Sequence, residues 1–276
     1  MTNFLDPSKF HFFLSEKNST KPTLVLVHGL HSQHKTFLNC VEELQKDFNC
    51  LIYDQRGHGK TPRLGEDYSA HAMAKDLKNL LDHLNLTKIF LLGHSMGGRT
   101  AMAFVDLFPE MLEAVIIEDM GCHQRAEFSK ELLAENIKKA KDLHRDTNIF
   151  NSREEALTYL KGLSLPKGMA EEKIFEIEPG KFETYFYTDS TQMYGYQGNF
   201  SDLTLGLKNN SHTPLLFLRA DPKVGSAMKE TCIEHIKLHL SHAKVIEIKD
   251  SWHNIHNSKP EEFYKILKDF FLEPKK

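Results

Sequence analysis

Ser95 sits in Gly93-His94-Ser95-Met96-Gly97, a G-x-S-x-G pattern placed directly after an apolar, β-rich run and directly before a helical stretch. A serine on such a tight strand-to-helix turn, with only small residues two positions to either side, is presented as a nucleophile. The helix that follows aims its first N–H groups at the same place and favours negative charge there. A serine hydroxyl is a weak nucleophile and needs a base. Of the 16 histidines, the useful one should lie in a loop after the last strand, and Ser251 to His256 is such a loop. It holds two candidates, His253 and His256. His253 is preferred for its distance from Pro260, where the last helix starts. His256 is expected to pack at the loop edge or to bond backbone.

An imidazole that works as a base is held by a buried carboxylate accepting from its Nδ1–H. Two aspartates compete for this place. Asp119 closes the apolar run Ala114 to Glu118 at the same carboxyl edge as Ser95, and it follows Ser95 by 24 residues, one helix plus one strand. Asp221 follows the strand Thr213 to Arg219, but Pro222 comes next and biases it towards an extended or turn conformation. Asp119 is preferred, and Asp221 stands as the alternative acid. Glu118 is the weaker neighbour, because alternation along a strand should turn it to the other face.

The elements that must hold these groups alternate between short apolar runs and amphipathic stretches, the pattern of a mostly parallel sheet with helices on both faces. Strands are expected at Phe10 to Leu14, Thr23 to Val27, Cys50 to Asp54, Lys88 to Leu92, Leu112 to Glu118, Thr213 to Arg219 and Lys244 to Ile248. Helices are expected at Lys35 to Asp47, Ala70 to Leu84, Met96 to Leu107 and Glu261 to Phe271. In the second of these, Met73, Leu77, Leu80, Leu81 and Leu84 repeat with a helical period. Residues 120 to 205 break the rhythm: they are charged and helical at first (Ala126 to Leu143, Arg153 to Leu163). They then turn aromatic, with Phe182, Tyr185, Phe186, Tyr187, Tyr194, Tyr196 and Phe200. This stretch is expected to be a helical cap inserted into a core formed by residues 1–119 and 206–276. Its aromatics either line a pocket or make the cap's own small core, and a helical insert must bury something.

The 276 residues suit one large α/β domain, with 40% apolar residues, 26% charged residues and a net charge of −3. No basic stripe points to nucleic acid, and no apolar window is long enough to span a membrane. The N-terminus has no basic segment followed by an apolar one, so a cytoplasmic location is expected. Cys40, Cys50, Cys122 and Cys232 form no CxxC pair and are expected to be reduced. His28, His31 and His34 crowd one loop, but that loop supplies no carboxylate, so no metal site is expected.

Four segments together resemble the α/β-hydrolase superfamily across nearly the whole chain. They are Val27-His28-Gly29-Leu30, the run YDQRGHGKTP from Tyr53 to Pro62, Gly93 to Gly98, and the run HNIHNSKPEEF from His253 to Phe263. Within it, the second and third segments look most like small bacterial carboxylesterases and acyl-CoA thioesterases. The resemblance implies Ser95 and His253 as catalytic, the backbone N–H groups of Leu30 and Met96 as oxyanion donors, a cap over the pocket, and no cofactor. The side chain of His28 is expected to hold its loop, and Asp54 and Arg56 match a turn with a structural role. Many relatives carry the acid in a G-x-x-D pattern after the cap. Here that segment reads Leu218-Arg219-Ala220-Asp221-Pro222-Lys223, without the glycine, while a minority place the acid one strand earlier, where Asp119 stands. The implied activity is hydrolysis of a small-molecule ester or thioester. Two alternatives are a lyase or C–C bond hydrolase of the menaquinone-pathway type, which Gly98-Arg99 would suit, and a non-catalytic binding module. Dehalogenases and epoxide hydrolases are disfavoured, because their elbow residue is aspartate.

Overall fold

Val25 and Val27 pack on one side of a sheet and Leu24 and Leu26 on the other, and all four are fully buried. The same two-sided alternation runs through Val115 and Ile117 against Ala114 and Ile116. Strands apolar on both faces are those of a sheet sandwiched between helices. The computed structural model describes residues 5–16, 20–63, 65–142, 148–162, 170, 173–184 and 190–272. The first part of the chain forms β1 (Phe12–Leu14), β2 (Thr23–Val27), α1 (Leu38–Leu44), β3 (Asn49–Tyr53), α2 (Ala70–His83), β4 (Ile89–His94), α3 (Met96–Leu107) and β5 (Leu112–Glu118). An insertion follows, with α4 (Lys130–Asp142), β6 (Ile149–Phe150), α5 (Arg153–Gly162), β7 (Ile174–Glu178), β8 (Lys181–Thr184) and a 3₁₀ run Ser190–Phe200. The chain then returns through α6 (Thr204–Asn209), β9 (Leu215–Ala220), α7 (Glu230–His239), β10 (Lys244–Ile248), α8 (Ile255–Ser258) and α9 (Pro260–Leu272).

Among the described residues the main sheet has seven strands in the order β1-β3-β2-β4-β5-β9-β10. Only β1 runs antiparallel to its neighbour; the other pairings are parallel. Leu77, Leu80 and Leu81 of α2, Met102 and Phe104 of α3, and Ile233 and Ile236 of α7 pack on one face. Val41 and Leu44 of α1 and Phe263, Leu267 and Phe271 of α9 pack on the other. The architecture is the expected α/β sheet, with β2, β4, β5 and β9 bringing their carboxyl ends together at its centre.

The elements depart from expectation in a few places. The first strand starts at Phe12 rather than Phe10. The helix expected from Lys35 opens as a 3₁₀ turn, His34–Phe37, and becomes α-helical only at Leu38. Helix α7 was not foreseen; its heavily polar surface hides the buried stripe Cys232, Ile233 and Ile236. The insertion is not wholly helical. It contains a three-stranded antiparallel sheet in the order β6-β8-β7. Pro179-Gly180 joins β7 to β8, and Gly180 has φ +76°, which is the chemistry of a tight turn between two alternating runs. Leu143 and Leu163, expected helix ends, lie outside the described residues, as do Tyr185, Phe186 and Tyr187. Nothing is described of the Tyr194 side chain. Tyr196 and Phe200 pack with Leu133 and Ile137 in a small cluster of the insertion's own.

Candidate active site

Val27 of β2 pairs with Gly93 of β4, and His94 of β4 with Glu118 of β5. That register places the loop after β2, the turn after β4 and the end of β5 side by side. Ser95 occupies the turn with φ +54° and ψ −118°, outside the ordinary regions for a residue with a side chain. The glycines make the turn possible by close approach. A Cβ on Gly93 would fall 2.2 Å from the carbonyl oxygen of Gly97, and one on Gly97 would fall 2.2 Å from that of Val27. Ser95 N–H donates to the carbonyl of Glu118 at 3.0 Å, tying the turn to β5. Ser95 is half-buried, whereas Met96 and the first two turns of α3 are buried.

Asp119 is the next residue after β5 and is wholly buried, at φ +49°. Its Oδ2 accepts from His253 Nδ1 at 2.7 Å and from Ala227 N–H at 2.7 Å. Its Oδ1 accepts from Ser226 Oγ at 2.6 Å and Ala220 N–H at 3.0 Å. Burial works to raise this carboxyl, but the bonds from His253, Ser226 and Ala227 outweigh it and hold it below the usual aspartate value. Ser226 and Ala227, in the loop after β9, were not singled out in the sequence, and no local pattern marks them.

The histidine loop is fixed from behind. His94 is buried, and its Nε2–H donates to the carbonyl of His253 at 3.1 Å. The two rings lie 4.6 Å apart between centroids. Burial, then the neighbouring His253 and His256, drives His94 well below the ordinary histidine value, so it stands as a neutral donor.

His256 corrects one expectation, and Glu118 meets one. His256 does not lie at a loop edge. It is fully buried, and its Nδ1 lies 2.8 and 3.0 Å from the two carboxylate oxygens of Glu118. Thr36 Oγ1 lies 3.1 Å from its Nε2. Glu118 does point away from Asp119, as alternation requires, and there it meets the second histidine. Asp221, the alternative acid, uses its carboxylate elsewhere: Oδ1 accepts from Lys223 N–H at 2.8 Å and Oδ2 from Asp250 N–H at 2.9 Å. Those two backbone bonds lower its carboxyl and tie the turn after β9 to the turn after β10.

On the far side of Ser95 lies the loop after β2. A Cβ on Gly29 would stand 3.1 Å from Ser95 Cβ, so this loop runs directly beside the serine. His28 holds the loop: its Nδ1–H donates to the carbonyl of Gly29 at 2.7 Å, and its Nε2 accepts from Gln55 N–H at 3.1 Å. Burial, with help from His58, pushes His28 down to about 3. Gln55 completes the brace, donating to the carbonyl of His28 at 2.7 Å and accepting from Thr100 Oγ1 of α3 at 2.8 Å. Leu30 and Met96 flank one space, since a Cβ on Gly195 would stand 2.5 Å from Leu30 Cδ1 and 2.7 Å from Met96 Sδ. The 3₁₀ run of the insertion therefore lies over both residues.

Arg99, one turn into α3, grips that insertion. It is buried, and it donates to the carbonyls of Gly121, His123, Gly198 and, at close range, Ser201. Its guanidinium is spent on backbone. Burial lowers it to about 10.

The fold is shared with known proteins. Residues 22–146 match the model of the alpha/beta hydrolase fold. A Haemophilus influenzae protein with a provisional esterase/lipase name is 25% identical over 95% of this chain and 87% of its own length. The sn-1-specific diacylglycerol lipase of Mus musculus is 33% identical, but over only 42% of this chain and 38% of its own. Among solved structures, a marine microorganism esterase superposes with a TM-score of 0.73 at 24% identity, covering 95% of this chain and 98% of its own. The enol-lactonase from Burkholderia xenovorans LB400 gives 0.72 at 20% identity, covering 96% of both chains. No helix among the described residues is long and apolar enough to cross a membrane. The chain has the alpha/beta hydrolase fold.

Proposed function

We propose that the protein is a serine hydrolase that cleaves carboxylic esters or thioesters through an acyl-enzyme, with Ser95 as nucleophile, His253 as general base and Asp119 as the acid that orients it. The observation that carries this reading is the 2.7 Å bond between Asp119 and His253 Nδ1, made beside a serine on a strained strand-to-helix turn. With Nδ1–H engaged by Asp119, Nε2 is the nitrogen left to take a proton. In the reaction, Ser95 Oγ attacks the acyl carbon and its proton passes to His253. The backbone N–H groups of Leu30 and Met96 receive the developing oxyanion. Collapse expels the alcohol or thiol, which takes the proton from His253, and water repeats the sequence on the acyl-enzyme.

The insertion acts as the cap, because Gly195 lies on Leu30 and Met96 and Arg99 holds Gly198 and Ser201 above α3. Arg99 also bears on the lyase alternative: bonded to backbone carbonyls, it is not offered to a polyanionic substrate. Four cysteines, all free and buried, suit a cytoplasmic setting. The test is labelling with a fluorophosphonate probe followed by hydrolysis of p-nitrophenyl acetate and a short acyl thioester. Labelling at Ser95 with turnover is expected. A folded protein that resists the probe and turns over neither ester nor thioester would refute the proposal.

A further inference from the structure

We infer that His11, His34 and Asp54 form a binding site for a zinc-like divalent transition cation, outside the Ser95 site. The loop of His28, His31 and His34 lacks a carboxylate of its own, but the fold supplies one from Asp54 at the end of β3. His34 Nδ1 lies 2.8 Å from Asp54 Oδ1, and His11 Nδ1 lies 3.1 Å from Oδ2. One ligand atom from each residue falls within 4.8 Å of the others. The two imidazole rings meet edge to face, with centroids 4.6 Å apart.

Two imidazole nitrogens and a carboxylate oxygen are the donor set that zinc and its neighbours select, whereas magnesium prefers oxygen alone. Tetrahedral bonds of about 2.0–2.1 Å put ligand atoms about 3.3 Å apart. The two imidazole–carboxylate contacts, at 2.8 and 3.1 Å, are a few tenths of an ångström tighter than that, and the ligand atoms all lie within 4.8 Å of one another. A cation entering it needs only a small opening, with each ring shifting its proton from Nδ1 to Nε2. Solvent completes the shell from the side of His11, whose side chain is 38% exposed.

The three ligands are also held in place by bonds a cation would not disturb. His11 N–H donates to Thr61 Oγ1 at 2.9 Å, and its carbonyl accepts from Asp54 N–H at 2.8 Å. His34 N–H donates to Asp54 Oδ1 at 2.7 Å and Lys60 N–H to Oδ2 at 2.9 Å. The turn packs the backbone of Gly59 against one side of this carboxylate, where a Cβ would fall 2.2 Å from Oδ2. A preorganised donor set loses little conformational freedom on binding. A bound cation would also fasten the loop that carries Leu30 to the strands β1 and β3.

The experiment is calorimetric titration of the chelator-treated full chain with Zn²⁺, alongside His11→Gln and His253→Ala. One saturable site is expected in the wild type and in His253→Ala. His11→Gln should weaken it at least tenfold. Substituting Co²⁺ should give a visible ligand-field band in the wild type that His11→Gln lacks, and Mg²⁺ should not compete. His11 is half-exposed, so its replacement should leave the fold intact, which circular dichroism checks; His34→Gln provides a second variant. Absence of a saturable site, or unchanged Zn²⁺ binding in folded His11→Gln, would overturn the inference. Neither result bears on the role of Ser95.

Discussion

His253 and His256 are three residues apart, and each meets a carboxylate from the same strand end, yet they are expected to fail in different ways. His253 is half-buried against Asp119, whereas His256 is sealed against Glu118. His253→Ala should abolish hydrolysis and leave stability nearly unchanged. His256→Ala should instead strip a fully buried carboxylate of its partner, costing about 3–5 kcal/mol of stability, while its folded fraction keeps an acid limb in kcat/KM. Urea melts and pH–rate profiles of both variants separate these outcomes; loss of activity in fully folded His256→Ala would reverse the assignment. Ser95→Ala should lower kcat by roughly 10⁴–10⁶. Asp119→Asn should cost about 10⁴ by favouring the wrong imidazole tautomer, and Asp221→Asn should keep most of its rate. A crippled Asp221→Asn beside an active Asp119→Asn would move the acid to the other side of the insertion. Ser95, His253 and Asp119 could be singled out because each belongs to a local pattern: glycine spacing, a loop before Pro260, and the end of an apolar run. Ser226 and Ala227, which also bond Asp119, could not, because what places them there is the return of the chain 107 and 108 residues later.

At the scale of elements, α3 starts directly after Ser95 and carries the tie to the insertion at Arg99. Replacing Arg99 by Met keeps apolar bulk but leaves the carbonyls of Gly121, His123, Gly198 and Ser201 without this donor. Each buried acceptor so stranded costs about 1–3 kcal/mol. The expected result is an insertion that frays before the core: limited proteolysis should cut within residues 120–205 while the remaining sheet persists. A digestion pattern identical to wild type would show that the hydrophobic contacts of the insertion suffice. The main sheet could be read from sequence because its central strands, β2 to β5 and β9, are buried on both faces and carry no competing signal. The insertion could not be read as well. Its helices α4 and α5 show a helical period, but β7 and β8 are short, half-exposed and rich in glutamate, so only Pro179-Gly180 between them marks a hairpin. Helix α7 hides for a related reason, with three buried residues among seven polar or exposed ones.

Across the whole molecule, histidine burial sets the response to acid. His28 is pushed down to about 3, His58 to about 4, and His94 well below its ordinary value, in each case first by burial. All three are neutral in the folded protein at mildly acidic pH, whereas in the unfolded chain they titrate near 6.5. The unfolded state therefore binds more protons below that point, and stability falls as pH falls. The contribution is fully present above about pH 6.5 and is lost progressively as pH drops towards 4 and then 3. Each group removes about 1.4 kcal/mol per pH unit in that window, so the three together approach about 4 kcal/mol per unit. His11, His123, His235 and His242, lowered first by burial as well, act in the same direction. Asp54 and Asp119 are lowered from 3.8 and add their loss only in stronger acid. Urea unfolding at pH 7.5, 6.5 and 5.5 should show little change over the first step and a steep loss over the second. Unfolding at pH 5.5 should take up about three protons or more. His58→Gln should shallow the slope by about a third of the three-histidine share, because it removes one of the three linked groups. A stability that stays flat between pH 7.5 and 5.5 would mean these rings are not buried neutral, and the brace formed by His28, Gln55 and Thr100 behind the loop after β2 would need to be redrawn.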